Sequence, residues 1–109
     1  MPHVRIRTHP GEVLREEYMK PLGLSANALA RALQVPPNRI TGIIAGQKPR
    51  SVTSDTALRL ARFFRTTPRF WLNLQTAYDL SVADAAIGGA IERDIQPFTA
   101  SRARLTVSA

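Results

Sequence analysis

Pro37, Asn38, Arg39, Thr41 and Gly42 stand together in the stretch VPPNRITGIIAG, interleaved with Ile40, Ile43 and Ile44. On a helix that buries the isoleucines, those five positions are left free on its outer, N-terminal face. Their chemistry suits reading base edges. An arginine fork can donate to guanine O6 and N7, and an asparagine amide can pair both groups on an adenine edge. Each such bidentate contact discriminates by about 1–3 kcal/mol. Thr41 can touch a thymine methyl or a phosphate. Gly42 has no side chain to read with and can only permit close backbone approach. Ser25, Asn27, Arg31, Lys48, Arg50 and Arg59 are candidate phosphate contacts, which set register without specifying sequence.

Such a face needs short elements to hold it. Ser25 is a good N-cap, and behind it Ala26, Leu29, Ala30 and Leu33 fall at i, i+3, i+4 and i+7. After Gln34 and Val35, Pro36-Pro37 opens the next helix, where proline costs little because first-turn N–H groups have no partner. Small Ala30 lets the second helix cross closely, Val35 plugs the turn, and Ile40 and Ile43 anchor the reading helix. Residues 25–46 thus have the layout of a helix-turn-helix. Gln34 stands where such a turn favours glycine, and a left-handed residue is expected there. Gly46 is expected to end the reading helix as a left-handed cap. A first helix runs from His9-Pro10-Gly11 to about Lys20, with Pro21–Leu24 as a break. The loop GQKPRSVT precedes a fourth helix capped by Thr53 or Ser54, in which Asp55 complements the dipole. Thr67-Pro68 opens a fifth, with Trp71, Leu74 and Tyr78 on one face. Ser81–Glu92 reads as a weaker helical stretch because of Gly88-Gly89, each costing about 1 kcal/mol against alanine. Phe98–Ala109 reads as a tail, and Thr106-Val107 as a frayed end or a strand paired in a dimer. The fold class is all-α: a compact five-helix domain over residues 1–80 with a C-terminal extension, 81–109, read as a dimerisation element or as disordered.

Charge supports the same footprint. The 109 residues carry a formal charge of +7. Between positions 31 and 69, eight arginines and lysines face Asp55 alone, so that segment holds the whole excess. Basic charge between near-neutral flanks points to a polyanionic partner. At 44% hydrophobic, one modest core is within reach, whereas two ordinary domains are not.

Other chemistries find little support. The chain has no cysteine, hence no disulfide, thiolate metal site or cysteine nucleophile. His3 and His9 are too far apart to make a metal pair without further ligands. Glu12, Glu16 and Glu17 read as a solvated face, or as a surface attracting a basic partner. Phosphate-loop, dinucleotide, serine-hydrolase and zinc-protease strings are lacking. No apolar run approaches a membrane span, and the start lacks a leader's apolar stretch. The expectation is a cytoplasmic protein that is not an enzyme, with neither catalytic residues nor metal nor cofactor. Trp71 reads chiefly as core, and Trp71 and Tyr78 are the alternative candidates for a dimer or partner interface.

HPGEVLREEYMKPLGLS, LARALQVPPNRITGIIAGQKP, TSDTALRLARFF and TPRFWLNLQTAYDL follow one another in the chain. In these segments, from about Thr8 to Leu80, the sequence resembles the HigA/VapI group of antitoxins. That group belongs to the lambda-repressor-like, Xre-type helix-turn-helix class. VPPNRI and FWLNLQ-AYDL are the group-specific strings; the LA…V…I spacing says helix-turn-helix only. The resemblance implies an antitoxin that neutralises a RelE-like (HigB-type) mRNA-cleaving toxin and, as a homodimer, represses their operon by binding double-stranded operator DNA. The chain departs from the class pattern at Gln34 and at Gly42, where a longer polar side chain is common. Two other readings are a solitary Xre-type regulator without a toxin, and a basic RNA- or protein-interaction module.

Overall fold

The computed structural model describes residues 5–99. Helix α1 is built from Pro10–Val13, a π-helical stretch Leu14–Met19, and Lys20–Leu22. It starts at His9, whose Nδ1 accepts the Gly11 N–H at 2.8 Å. Pro21 and Leu22, expected in a break, belong to the helix. The break begins at Gly23, which is left-handed at φ 66° and lets Leu24 N–H reach back to the Met19 carbonyl at 2.9 Å. That is a Schellman closure.

Helices α2 (Ala26–Leu33) and α3 (Pro37–Ile43) follow, then α4 (Ser54–Phe64) and α5 (Pro68–Ala83). Ser25, Thr53 and Thr67 each cap the helix behind them with a side-chain oxygen, at 3.0, 3.5 and 3.1 Å. The backbone stays right-handed beyond α5 through a π-helical turn, Asp84–Gly88, into α6 (Gly89–Asp94). Gly88 and Gly89 are therefore absorbed into a continuous helical rod. No strand occurs among the described residues, and the fold is the all-α, five-helix arrangement with a helical extension. His3 and Thr106-Val107 lie outside the described residues.

Helix α2 packs on α3 and α4, α4 on α5, and α1 on α5. Leu14, Leu29, Ile40, Ile43, Leu60 and Trp71 are fully buried at the centre. Tyr18, Phe64 and Trp71 bolt α1, α4 and α5 together, with the Trp71 ring 5.2 Å from Tyr18 and 6.5 Å from Phe64. Trp71 Nε1 donates to Thr66 Oγ1 at 2.8 Å, which satisfies the indole inside the core. With no exposed surface, Trp71 cannot serve as an interface residue, and that expectation is corrected. The last buried residue among those described is Gln75; beyond it Leu80, Val82, Ile87, Ile91, Ile95 and Phe98 are exposed.

Candidate nucleic-acid interface

The turn between α2 and α3 rests on one left-handed residue. Gln34 sits at φ 61°, ψ 45°, as expected for a position where glycine is commoner. Val35 N–H then reaches the Ala30 carbonyl at 3.0 Å, and Gln34 N–H reaches Arg31 at 3.2 Å. Pro36 is extended, Pro37 takes the first helical position, and Arg39 N–H bonds the Pro36 carbonyl at 3.0 Å. Ile40 and Ile43 are buried beneath α3. That leaves Pro37, Asn38 and Thr41 exposed and Arg39 and Gly42 partly exposed. Helix α3 ends at Ile44, with φ −88° and ψ 3°. Gly46 is not left-handed, so its expected cap role is corrected; Gly23 is the one glycine with positive φ among the described residues.

Two contacts hold the C-terminal end of α3. Arg15 Nη1 donates to the Ile44 carbonyl at 2.6 Å, tying α1 to a carbonyl the helix leaves unpaired. Gly11 lies against the Ile43 carbonyl from the other side.

The basic loop is held as well. Arg50 N–H bonds the Gly42 carbonyl at 2.8 Å, and the Arg50 methylenes lie over Gly42 where a β-carbon would be. The absent side chain at 42 thus makes room for Arg50. Val52 N–H donates to the buried Gln75 Oε1 at 2.7 Å, and Gln75 Nε2 donates to Asp79 at 2.9 Å. Lys48 and Arg50 are exposed at either side of Pro49, with Lys48 at φ 47°.

Charge at the face is organised around one carboxylate. Arg39 Nη1 bonds Asp55 Oδ2 at 2.5 Å, and Arg59 Nε bonds the same oxygen at 3.1 Å. Arg59 Nη1 also donates to the Leu33 carbonyl at 2.8 Å, at the end of α2. Hydrogen bonds from Arg59 and then Arg39 hold the Asp55 carboxyl below the ordinary carboxylate range. Arg59, expected among the phosphate contacts, is engaged within the protein and closes the turn. Ser25 is exposed, but its hydroxyl caps α2, while Asn27 and Arg31 are exposed on α2. Thr41 Oγ1 folds back to the Asn38 carbonyl at 3.4 Å.

The role of Asp55 was the main omission of the sequence reading. Its partner on α4, Arg59, lies four residues on and was visible as a helical pair. Its partner Arg39 is sixteen residues away, and only the α3–α4 crossing brings them together. His9 was likewise missed as a cap. It is buried, its ring meets Tyr78 edge-on at 4.8 Å, and its Nε2 has no protein partner among the described residues. Burial lowers its pKa, opposed by the nearby Asp79 charge. Tyr78 is half-buried against it.

No helix of the described residues is long and apolar enough to cross a membrane, and none of those residues forms a cluster suited to a metal ion.

Two short helices at a tight left-handed turn, the second exposing a polar and basic face, define a helix-turn-helix protein. The helix-turn-helix family matches residues 16–71, just over half the chain. Virulence-associated protein I of Dichelobacter nodosus is 60% identical over 76 residues, which are 70% of this chain and 68% of that protein. An addiction module antidote protein of the HigA family from Coxiella burnetii superposes with a TM-score of 0.80 at 51% identity, covering 86% of this chain and all of that one. The Pseudomonas aeruginosa antitoxin HigA, solved with the higBA promoter, gives 0.81 at 42% identity, covering 87% of this chain and all of that one. The chain belongs to the Xre-type helix-turn-helix family, in its HigA/VapI group of antitoxins.

Proposed function

We propose that this chain is the antitoxin of a toxin–antitoxin pair: it binds and neutralises a RelE-like (HigB-type) toxin and, as a homodimer in the cytoplasm, represses its own operon. Residues 1–80 form the DNA-binding unit, and the C-terminal extension, together with the end of α5, carries the self-association. The observation that carries the reading is the face of α3. Pro37, Asn38, Arg39 and Thr41 stand outward on a helix fixed from both ends, flanked by the exposed cations Arg31, Lys48 and Arg50. A helix held that way can enter a major groove without further rearrangement. The solved P. aeruginosa relative with its promoter supports a DNA partner of this kind. Asn38 and Arg39 read bases, Thr41 contacts a thymine methyl or a phosphate, and Asn27, Arg31, Lys48 and Arg50 hold phosphates. Gly42 keeps the groove side of α3 slim enough for Arg50 to lie across it.

A homodimer places two such helices on a palindromic site with half-sites about one helical turn apart. The exposed apolar row Leu80, Ile87 and Ile91 on the rod of α5 and α6 is the surface we assign to the second copy. It runs along one helical side at spacings of seven and four.

The test is a binding titration on the DNA upstream of the chain's own gene, with and without the protein encoded by the adjacent reading frame. Tight, salt-dependent binding to a palindrome, and a stoichiometric complex with a neighbour that is toxic alone, are expected. Operator binding with no toxic neighbour would leave a solitary regulator. Equal affinity for all duplexes and RNAs would leave a basic interaction module.

A further inference from the structure

We propose that Asp55 is a positioning residue for base reading: it grips one end of the Arg39 guanidinium and presents the other to the groove. The inference rests on the assignment of Arg39 to base contact. Asp55 Oδ2 bonds Arg39 at Nη1. The Nε and Nη2 groups of Arg39 make no hydrogen bond among the described residues, and they form the side edge of the fork, two parallel donors. A guanine O6/N7 pair needs two such donors at once. Held by Nη1, the arginine offers that edge without a search through rotamers.

Asp55 is itself fixed. Arg59 Nε bonds both carboxylate oxygens, at 3.3 and 3.1 Å, and Arg59 Nη1 is anchored on the Leu33 carbonyl at 2.8 Å. A chain of contacts therefore runs from the end of α2 through α4 to the reading side chain on α3. Its members are half-exposed: the Asp55 side chain is 53% accessible, that of Arg39 33% and that of Arg59 39%. Ion pairs this exposed contribute little to folding stability. A carboxylate beside a phosphate-binding surface also opposes DNA binding in general. Beyond the first-turn charge it gives α4, a group whose ion pairs add little to the fold and which works against non-specific affinity is accounted for by what it does to Arg39.

The experiment measures affinity for the upstream duplex and for duplexes with each base pair of one half-site replaced in turn. It uses the full chain and the variants Arg39→Ala, Asp55→Ala, Asp55→Asn and Arg39→Ala/Asp55→Ala, with the thermal midpoint of each as a control for folding. Arg39→Ala is expected to lose discrimination at one or two base pairs. Asp55→Ala is expected to lose about three- to tenfold at those same pairs, the scale of fixing one long side chain. Asp55→Asn, which keeps an acceptor oxygen, falls between. The double variant discriminates no worse than Arg39→Ala. Non-specific affinity rises in both Asp55 variants. If Arg39→Ala shows the loss while Asp55→Ala discriminates like the unaltered chain, the positioning role is overturned and the Arg39 assignment stands. If Asp55→Ala weakens discrimination evenly at every position, its effect is on the domain, and the role is again overturned. An Arg39→Ala protein with unchanged preferences overturns both.

Discussion

Gly11 on α1 faces the Ile43 carbonyl on α3 so closely that a β-carbon at position 11 would overlap that oxygen and its carbon. The partner atoms are backbone, so relief requires α1 and the C-terminal end of α3 to separate. Gly11→Ala is expected to destabilise the domain by about 1–3 kcal/mol, the usual range for overpacking. Gly46→Ala, where nothing lies within 4 Å, is the control and should stay within about 0.5 kcal/mol. Urea unfolding followed by circular dichroism separates the two; equal effects would contradict the packing.

Gln75 is the one acceptor for the buried Val52 N–H among the described residues. Gln75→Leu keeps the volume but strands that donor. A loss of about 1–3 kcal/mol is expected, the cost of an unsatisfied buried polar group. Because Val52 lies in the basic loop, amide exchange at residues 47–52 should speed up more than in α2. Exchange that rises evenly through the domain would argue against a local pin.

His9 should make stability depend on pH. Burial lowers its folded-state pKa below the ordinary 6.5, so the neutral form is favoured in the fold. Between the lowered value and 6.5 the unfolded chain binds more protons. The stability from neutral His9 is therefore complete above pH 6.5 and declines as pH falls through that window. Thermal midpoints from pH 8 to pH 5 should show this slope, and His9→Asn, which retains a capping oxygen, should flatten it. Parallel curves for the two proteins would refute the assignment.

The row Leu80, Ile87 and Ile91 should govern self-association. Ile87→Arg and Ile91→Arg place charge on positions that are 53% and 45% exposed in the single chain, so folding should change by less than about 0.5 kcal/mol. Sedimentation equilibrium should show a dimer for the unaltered chain and a monomer for the double variant. Operator affinity should fall with it, since two half-sites would no longer be bound by one particle. A dimer that survives both substitutions would move the interface elsewhere.

Several elements were legible because their causes are local. Ser25, Thr53 and Thr67 cap their own helices, and the i, i+3, i+4, i+7 rows of α2 and α4 name their own buried faces. The left-handed turn at Gln34 follows from an eight-residue helix meeting Pro36-Pro37 almost at once. The outward set Pro37, Asn38 and Thr41 follows from burying Ile40 and Ile43. Helix ends were less legible: Pro21-Leu22 and Gly46 look like breakers, yet α1 runs on to Leu22, where left-handed Gly23 closes it, and α3 ends without a left-handed glycine.

What only the folded chain decided is which partner each polar group found. Residues one or two turns apart meet on any helix, so a sequence reader can pair Asp55 with Arg59. Whether Asp55 also reaches Arg39, whether Gln75 receives Val52, and whether Gly11 must clear Ile43 depend on how α1, α3, α4 and α5 cross. Crossing angles come from side-chain packing summed over the whole core, which no single stretch encodes. The residue types on the outward face of α3 were therefore set by its own sequence, and their orientation by the helices around it.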